Sequence, residues 1–308
     1  MRVEGASERD QMKRDPKRPC RDADYVHRQS MMLELDEDEA RNKVARGESL
    51  LVEGIAGVGK THFLQSLVQE LRAQGKSVAI ISKTHCASAR AGGITADAFV
   101  RRHLIHGSCI FDCVWADECY QLETTLLAQI NKIASRQWLL SGDSHQFPPM
   151  FNSWRGAGID DDAFQRSNLL KTLCGCNRLT LSVCRRSDGE LFQWYSSLIR
   201  GGSRFHLPLA EVLTEVRTKF RLHAPAAHNL YISHRRRIQL NREANERERR
   251  GRQAVLVRSV SGGQSMWVWP GLKLLGGAGS RKIENGVTYE VSSISDDTIT
   301  LGEHILTY

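Results

Sequence analysis

The eight residues Gly54-Ile55-Ala56-Gly57-Val58-Gly59-Lys60-Thr61 constrain this chain more than any other stretch. They fit the pattern G-x-x-x-x-G-K-[ST] and follow an apolar run at residues 49–53. A helical pattern comes next, with Leu64, Leu67, Val68 and Leu71 at i, i+3, i+4 and i+7. A strand that passes through a glycine-rich loop into a helix turns backbone N–H groups and a helix N-terminus toward one point, which is a cradle for phosphate. Gly54, Ala56, Gly57, Val58 and Gly59 supply the loop, Lys60 reaches terminal phosphates, and the Thr61 hydroxyl suits Mg2+. The pattern predicts a nucleoside triphosphate with magnesium as the ligand.

Three more apolar runs, at residues 78–82, 114–116 and 137–141, read as buried strands. Helical stretches separate them, one carrying Leu122, Leu126, Leu127, Ile130 and Ile133. This alternation predicts an α/β fold, a parallel sheet covered on both faces, whose ligands bind at the carboxyl ends of the strands. At two of those ends stand Asp117-Glu118 and Gly142-Asp143-Ser144-His145-Gln146-Phe147-Pro148-Pro149. Adjacent acids after a buried strand repel each other, but they make sense if Asp117 holds magnesium through its water shell while Glu118 activates the attacking water. Gln146 can donate an amide hydrogen bond to a terminal phosphate or to that water.

With 308 residues the chain accommodates two domains. Residues 1–32 are charged and poor in large apolar side chains, and read as a mobile basic arm. Residues 33–46 read as one helix stopped by Gly47. The ATPase domain is expected over 33–176. After Cys176 the texture changes to helices at 190–199 and 238–250, and strands at 230–233, 254–257, 266–269, 272–275, 287–294 and 298–301, so a second domain is expected over 177–308.

A net charge of +8 favours polyanionic partners. The arginine-rich run from His234 to Arg252 fits a phosphate backbone or, through Glu243, Glu246 and Glu248, a solvated helix face. Trp267 and Trp269 share one strand face and are expected in a core rather than against bases. His103, His106, Cys109 and Cys113 have a spacing that invites a zinc site, yet Cys113 opens a strand and reads as core. Eight cysteines without a Cys-x-x-Cys pair point to a reducing intracellular compartment, nucleus or cytoplasm. No run is long enough to span a membrane, and none is expected as a partner.

The order and spacing of the phosphate loop, Asp117-Glu118 and G-D-x-x-Q-x-P resemble superfamily 1 helicases, and within them the 5′-to-3′ superfamily 1B branch of petite-integration-frequency and RecD-like enzymes. The resemblance implies a RecA-like P-loop NTPase sheet with a second, incomplete RecA-like domain, ATP as the nucleotide, and ATP-driven unwinding of single-stranded or forked DNA, with RNA also possible. Residues 84–99 are similar to that branch's single-strand contact motif, with His85 and Asp97 departing from it; Thr84, Thr95, Phe99, Phe147 and Pro148 become the expected nucleic-acid contacts. Arg185 falls where the branch places an arginine finger, with Arg186 one position away. Tyr231, Asn241, Asn245 and the Glu284-Asn285-Gly286-Val287 turn resemble second-domain features, although Asn285-Gly286 also fits a plain hairpin.

The chain stops at Leu306-Thr307-Tyr308, where those helicases continue into a final motif, so it reads as a truncated form. The stretch Leu35-Asp36-Glu37-Asp38-Glu39 lacks their adenine-reading Gln. Two other classes compete: a nucleotide-dependent nucleic-acid or partner binding module without productive unwinding, and a P-loop kinase or unrelated signalling ATPase, which has no use for residues 142–148.

Overall fold

The computed structural model describes residues 31–103, 111–132, 137–199, 201–220, 231, 233–259, 264–277, 283, 286–295 and 297–307. The first part of the chain runs β1 (Leu33–Leu35), α1 (Glu37–Ala45), β2 (Leu50–Glu53), α2 (Lys60–Ala73), β3 (Val78–Ser82), α3 (His85–Ala91), β4 (Ile94–Thr95), α4 (Ala96–His103), β5 (Cys113–Ala116), α5 (Thr124–Ile130) and β6 (Gln137–Gly142). A small hairpin of β7 (Ser153–Trp154) and β8 (Ala157–Gly158) follows, then α6 (Ala163–Arg166), α7 (Asn168–Cys174) and β9 (Asn177–Thr180). Seven strands pair in the order β1-β9-β2-β6-β5-β3-β4, and every pairing is parallel.

The period of two along a strand explains why the sheet is covered on both sides. Leu51, Ile81, Val114, Ala116 and Leu140 pack with α4, α5 and α7 through Phe99, Leu127, Ile130 and Leu173. Their chain neighbours Leu50, Val52, Ile80, Trp115 and Leu139 pack on the other face with α1 and α2 through Val44, Leu64, Leu67 and Leu71. Neither strand face can tolerate water, so these runs are continuously apolar, as in parallel sheets generally.

Two sequence expectations change here. Residues 33–46 are not one helix: Leu33–Leu35 is a strand on β9. Asp36 then starts α1 with a capping box, accepting from the Glu39 N–H at 2.8 Å while the Glu39 carboxylate accepts from the Asp36 N–H at 3.2 Å. The first sheet also does not end at residue 176, because β9 inserts between β1 and β2 and carries the domain to about residue 180. Asn-Arg-Leu-Thr has a single large apolar residue and shows no strand signal; its partners make it a strand. Helix α5 is shorter than its apolar pattern, with Leu122 buried ahead of it and Ile133 outside the described residues.

Beyond β9 come α8 (Gly189–Leu198), α9 (Leu209–Lys219), α10 (His234–Glu248), β10 (Val255–Val257), β11 (Met266–Val268), β12 (Lys273–Leu275), β13 (Thr288–Ile294), β14 (Thr298–Leu301) and β15 (His304–Thr307). β10 pairs with β11, and β12 to β15 form a meander around Val268, Val291, Ile299 and Leu301. All pairings among the described residues of this part are antiparallel, in keeping with strands joined by glycine- and asparagine-rich turns. The strand expected at 230–233 and the Glu284-Asn285 turn lie largely outside the described residues, as does the arm over residues 1–30.

Asn245 ties α10 to β11 by donating to the Trp267 carbonyl and accepting from its N–H, both at 2.8 Å. Trp269 is buried, whereas Trp267 is half-buried beneath the Arg249 guanidinium, 4.4 Å from its ring centre. No helix among the described residues is long and apolar enough to cross a membrane.

Candidate functional site: the strand ends around the phosphate loop

The register sets Glu53, Gly142 and Thr180 side by side at the ends of β2, β6 and β9. The chain leaves each of those ends at one edge of the sheet, and β5 delivers Asp117 beside them. Gly54 has φ of 150°, and a Cβ there would lie 2.3 Å from the Leu181 carbonyl oxygen. That oxygen belongs to backbone and cannot swing aside, so a Gly54→Ala protein is expected to lose about 1–3 kcal/mol of stability along with nucleotide binding. Thermal melting and fluorescent-nucleotide titration of the same sample test both parts.

Gly59 adopts a left-handed conformation at the start of α2, with Lys60 and Thr61 in its first turn. Lys60 is buried and donates from Nζ to the carbonyl oxygens of Gly54 at 2.7 Å and Ile55 at 3.2 Å. The ammonium is thus held inside the loop by acceptors that phosphate oxygens can replace. Thr61 is half-buried.

Asp117 is buried and fixed from behind: Trp115 Nε1 donates to Ser141 Oγ at 2.9 Å, and Ser141 Oγ donates to Asp117 Oδ1 at 2.6 Å. Burial raises the Asp117 carboxyl above its ordinary range, against the Ser141 hydrogen bond and the Lys60 charge. Glu118 sits at φ 51°, in the left-handed region that costs a non-glycine residue about 1 kcal/mol or more. Its Oε2 is buried with no hydrogen-bond partner. Burial first, then the neighbouring Asp117 and Asp143, push its carboxyl up, while Lys60 and Arg186 pull it down. A strained, unpartnered carboxylate of raised proton affinity is a poor structural element and a good general base.

At the end of β6, a Cβ on Gly142 would meet the Tyr120 ring at 2.6 Å, so this close approach requires glycine. Asp143 is buried, and its Oδ1 accepts from the His145 backbone N–H at 3.0 Å and faces His145 Nδ1 at 3.2 Å. Gln146 donates its N–H to the Asp143 carbonyl at 3.1 Å, and its Oε1 accepts from Gln121 Nε2 at 2.7 Å.

Residues 181–195 lean over the loop from beyond β9. Arg185 donates its backbone N–H to the Gly57 carbonyl at 2.9 Å, its Cδ lies 3.3 Å from the position a Gly59 Cβ would take, and its Nη2 is 3.9 Å from Glu37. Arg186 Cβ and Cys184 Sγ sit 3.3 and 3.5 Å from the corresponding Gly57 position, and Tyr195 donates its hydroxyl to the Ala56 carbonyl at 3.0 Å. Cys184 carries a thiol lowered to about 7, chiefly by the Ser187 hydroxyl 3.2 Å away, whereas burial pushes Cys113 up to about 12. At pH 7.5 iodoacetamide is expected to label Cys184 ahead of Cys113 by mass spectrometry, because only the thiolate attacks.

The expected nucleic-acid contacts divide. Thr84 is exposed and caps α3 by accepting from the Ala87 N–H at 3.2 Å; Thr95 ends the adjacent strand, is buried and caps α4 through the Ala98 N–H at 3.3 Å. Phe147 is 91% exposed and Pro148 half-buried. Phe99 must be withdrawn as a contact: it is 1% exposed, packed against Phe111 and His103, because its place on the apolar face of α4 turns it into the core. Of the zinc spacing, Cys113 is core, as expected, while His106 and Cys109 lie outside the described residues.

Sequence reasoning missed Gln121, Ser141, Asp143, Cys184 and Tyr195. Asp143 stood inside a recognised motif with a polar residue at a strand end. The others become visible only through pairing across elements.

Residues 36–153 match a family model described as an AAA domain. No curated protein sequence matches the chain. Among solved structures it is similar to a Pif1 helicase from Candida albicans, at TM-score 0.61 and 19% identity over 87% of this chain and 76% of that one. It is also similar to Bacteroides Pif1 bound to ssDNA, at TM-score 0.59 and 15% identity over 88% and 72%. A third match is Pif1 from Bacteroides in complex with ADP-AlF3 and ssDNA, at TM-score 0.54 and 16% identity over 85% and 71%. Residues 36–153 are therefore similar to AAA domains, and across most of its length the chain has the fold seen in the Pif1 helicases.

Proposed function

We propose that this protein is a Mg-ATP-hydrolysing DNA motor of the superfamily 1B type, moving 5′ to 3′ on single-stranded DNA. The observation that carries the reading is the unpartnered, strained Glu118 carboxylate standing among Lys60, Asp117 and Asp143 at the end of a parallel sheet. Lys60 and the backbone of residues 54–61 bind the phosphates, and Glu118 takes the proton of the attacking water. Thr61 and Asp117 are hard oxygen donors that fit Mg2+, and buried Asp117 beside half-buried Glu118 supplies the charge such an ion needs. When bound, that ion neutralises charge on the terminal phosphates.

Arg185 brings a guanidinium from outside the sheet, so hydrolysis depends on how residues 181–195 sit over the loop. Nucleic acid lies across the end of β3 at exposed Thr84, where buried Thr95 supports the neighbouring strand end from within, and reaches Pro148 and Phe147, the exposed Phe147 ring stacking on a base. Exposed Met150, Phe151 and Trp154 extend that apolar surface. The Pif1 structure with ADP-AlF3 and ssDNA has both ligands on the same fold, which supports the pairing of sites.

A strand-displacement assay with a 5′-tailed and a 3′-tailed duplex tests direction: unwinding of the 5′-tailed substrate alone supports the reading, and preference for the 3′ tail contradicts it. Nucleotide-dependent DNA binding without unwinding would make the protein a binding module.

A further inference from the structure

We propose that Gln121 is a positioning residue that decides which end of the Gln146 amide meets the nucleotide, an assignment that rests on the site reading above. A glutamine amide has two unlike ends, an NH2 that only donates and an oxygen that only accepts. Phosphate oxygens and the lone pairs of an attacking water need the donor end. A glutamine free to turn about its last torsion offers the wrong end about as often as the right one.

In the structure that torsion is engaged by a neighbour. Gln121 Nε2 donates to Gln146 Oε1 at 2.7 Å, which occupies the acceptor end. The Gln146 Nε2 hydrogens are left without a partner among the described residues. Both glutamines stand on fixed backbone. Gln121 closes the 3-10 turn Cys119–Gln121, donating its N–H to the Glu118 carbonyl at 2.9 Å. Cys119 and Tyr120 in that turn are buried, the Tyr120 hydroxyl donates to Glu53, and the Tyr120 ring fills the space beside Gly142. Gln146 is tied to the Asp143 carbonyl just past the end of β6, the strand next to β5. The turn that follows the general base thus holds the reporter of the neighbouring strand end in a donating orientation before nucleotide arrives.

Turnover under saturating Mg-ATP, measured on the full chain, tests this. Gln121→Glu is isosteric but accepts only, so it captures Gln146 Nε2 and turns the Gln146 carbonyl toward the phosphates; turnover is expected to fall about 10–100-fold. Gln121→Leu merely frees Gln146 and should lower turnover about 2–10-fold. Nucleotide affinity by fluorescence should change little in either variant. In a Gln146→Ala background both Gln121 substitutions should have no further effect, which separates orientation from the added charge beside Glu118.

An equally large loss from Gln121→Glu in the Gln146→Ala background, or a Leu variant worse than the Glu variant at equal melting temperature, overturns the assignment while the site reading stands. If Gln146→Ala itself leaves turnover intact, the role of Gln146 and this assignment fall together. Should Gln121→Glu fail to fold, the Leu variant and its double-mutant cycle carry the same decision.

Discussion

Replacing Glu118 with Gln is expected to lower ATP turnover by about a thousandfold while leaving nucleotide binding nearly unchanged, as loss of a general base does. The same substitution should stabilise the nucleotide-free protein. Burial and Asp117 raise the Glu118 carboxyl above its unfolded value, so folding favours the protonated form. Stability from such a group is fully present below the unfolded pKa and is lost as pH rises through the raised one. At neutral pH the ionised side chain therefore opposes folding, and Gln, which is neutral and can donate, relieves about 1 kcal/mol. For a domain of this size that is a rise of about 2–4 °C in melting temperature. Loss of activity with gain of stability is the signature of a functional acid, which a structural carboxylate does not give. The acid limb of the wild-type turnover profile should also lie above the ordinary carboxylate range, because the base works only when ionised.

Arg185→Ala should cost about a thousandfold in turnover, the scale on which a guanidinium at a transferring phosphoryl group acts. Arg185 is placed for this by its backbone bond to Gly57 and by a stem lying along Gly59. Its 3.9 Å approach to Glu37 joins two largely exposed groups and holds it weakly, so nucleotide can draw it away. Arg186 acts differently, since its charge lowers the proton affinity of Glu118. Arg186→Ala should shift the acid limb upward with a smaller loss at its plateau. Steady-state pH profiles of the two variants distinguish them, and interchanged phenotypes would mean that Arg186 is the finger.

The central sheet was legible because parallel strands buried on both faces must be continuously apolar, and residues 78–82 were readable to the residue. The edge was not. β1 and β9 alternate or lack apolar residues, and only their mutual pairing and β2 make them strands. The placement of Asp117-Glu118 directly after β5, of Gln146 in the loop after β6 and of Lys60 at the start of α2 was legible because each follows an apolar strand run; the roles given to them are those of the proposed function. Phe99 was misjudged because a helix can turn an aromatic residue of a contact segment into the core. Gln121 and Ser141 were invisible because neither belongs to a pattern along the chain; each acquires its role from a side chain about 25 residues away. In the second part the strands expected at 254–257, 266–269, 272–275, 287–294 and 298–301 match β10 to β14 to within a residue at each end, whereas β15 was not expected.

Magnesium-dependent ATP turnover of the wild-type chain, with and without single-stranded DNA, tests the motor assignment most directly. The site described here predicts that DNA raises turnover and that Glu118→Gln removes both the basal and the stimulated rate; binding of ATP with turnover that DNA does not change would contradict it.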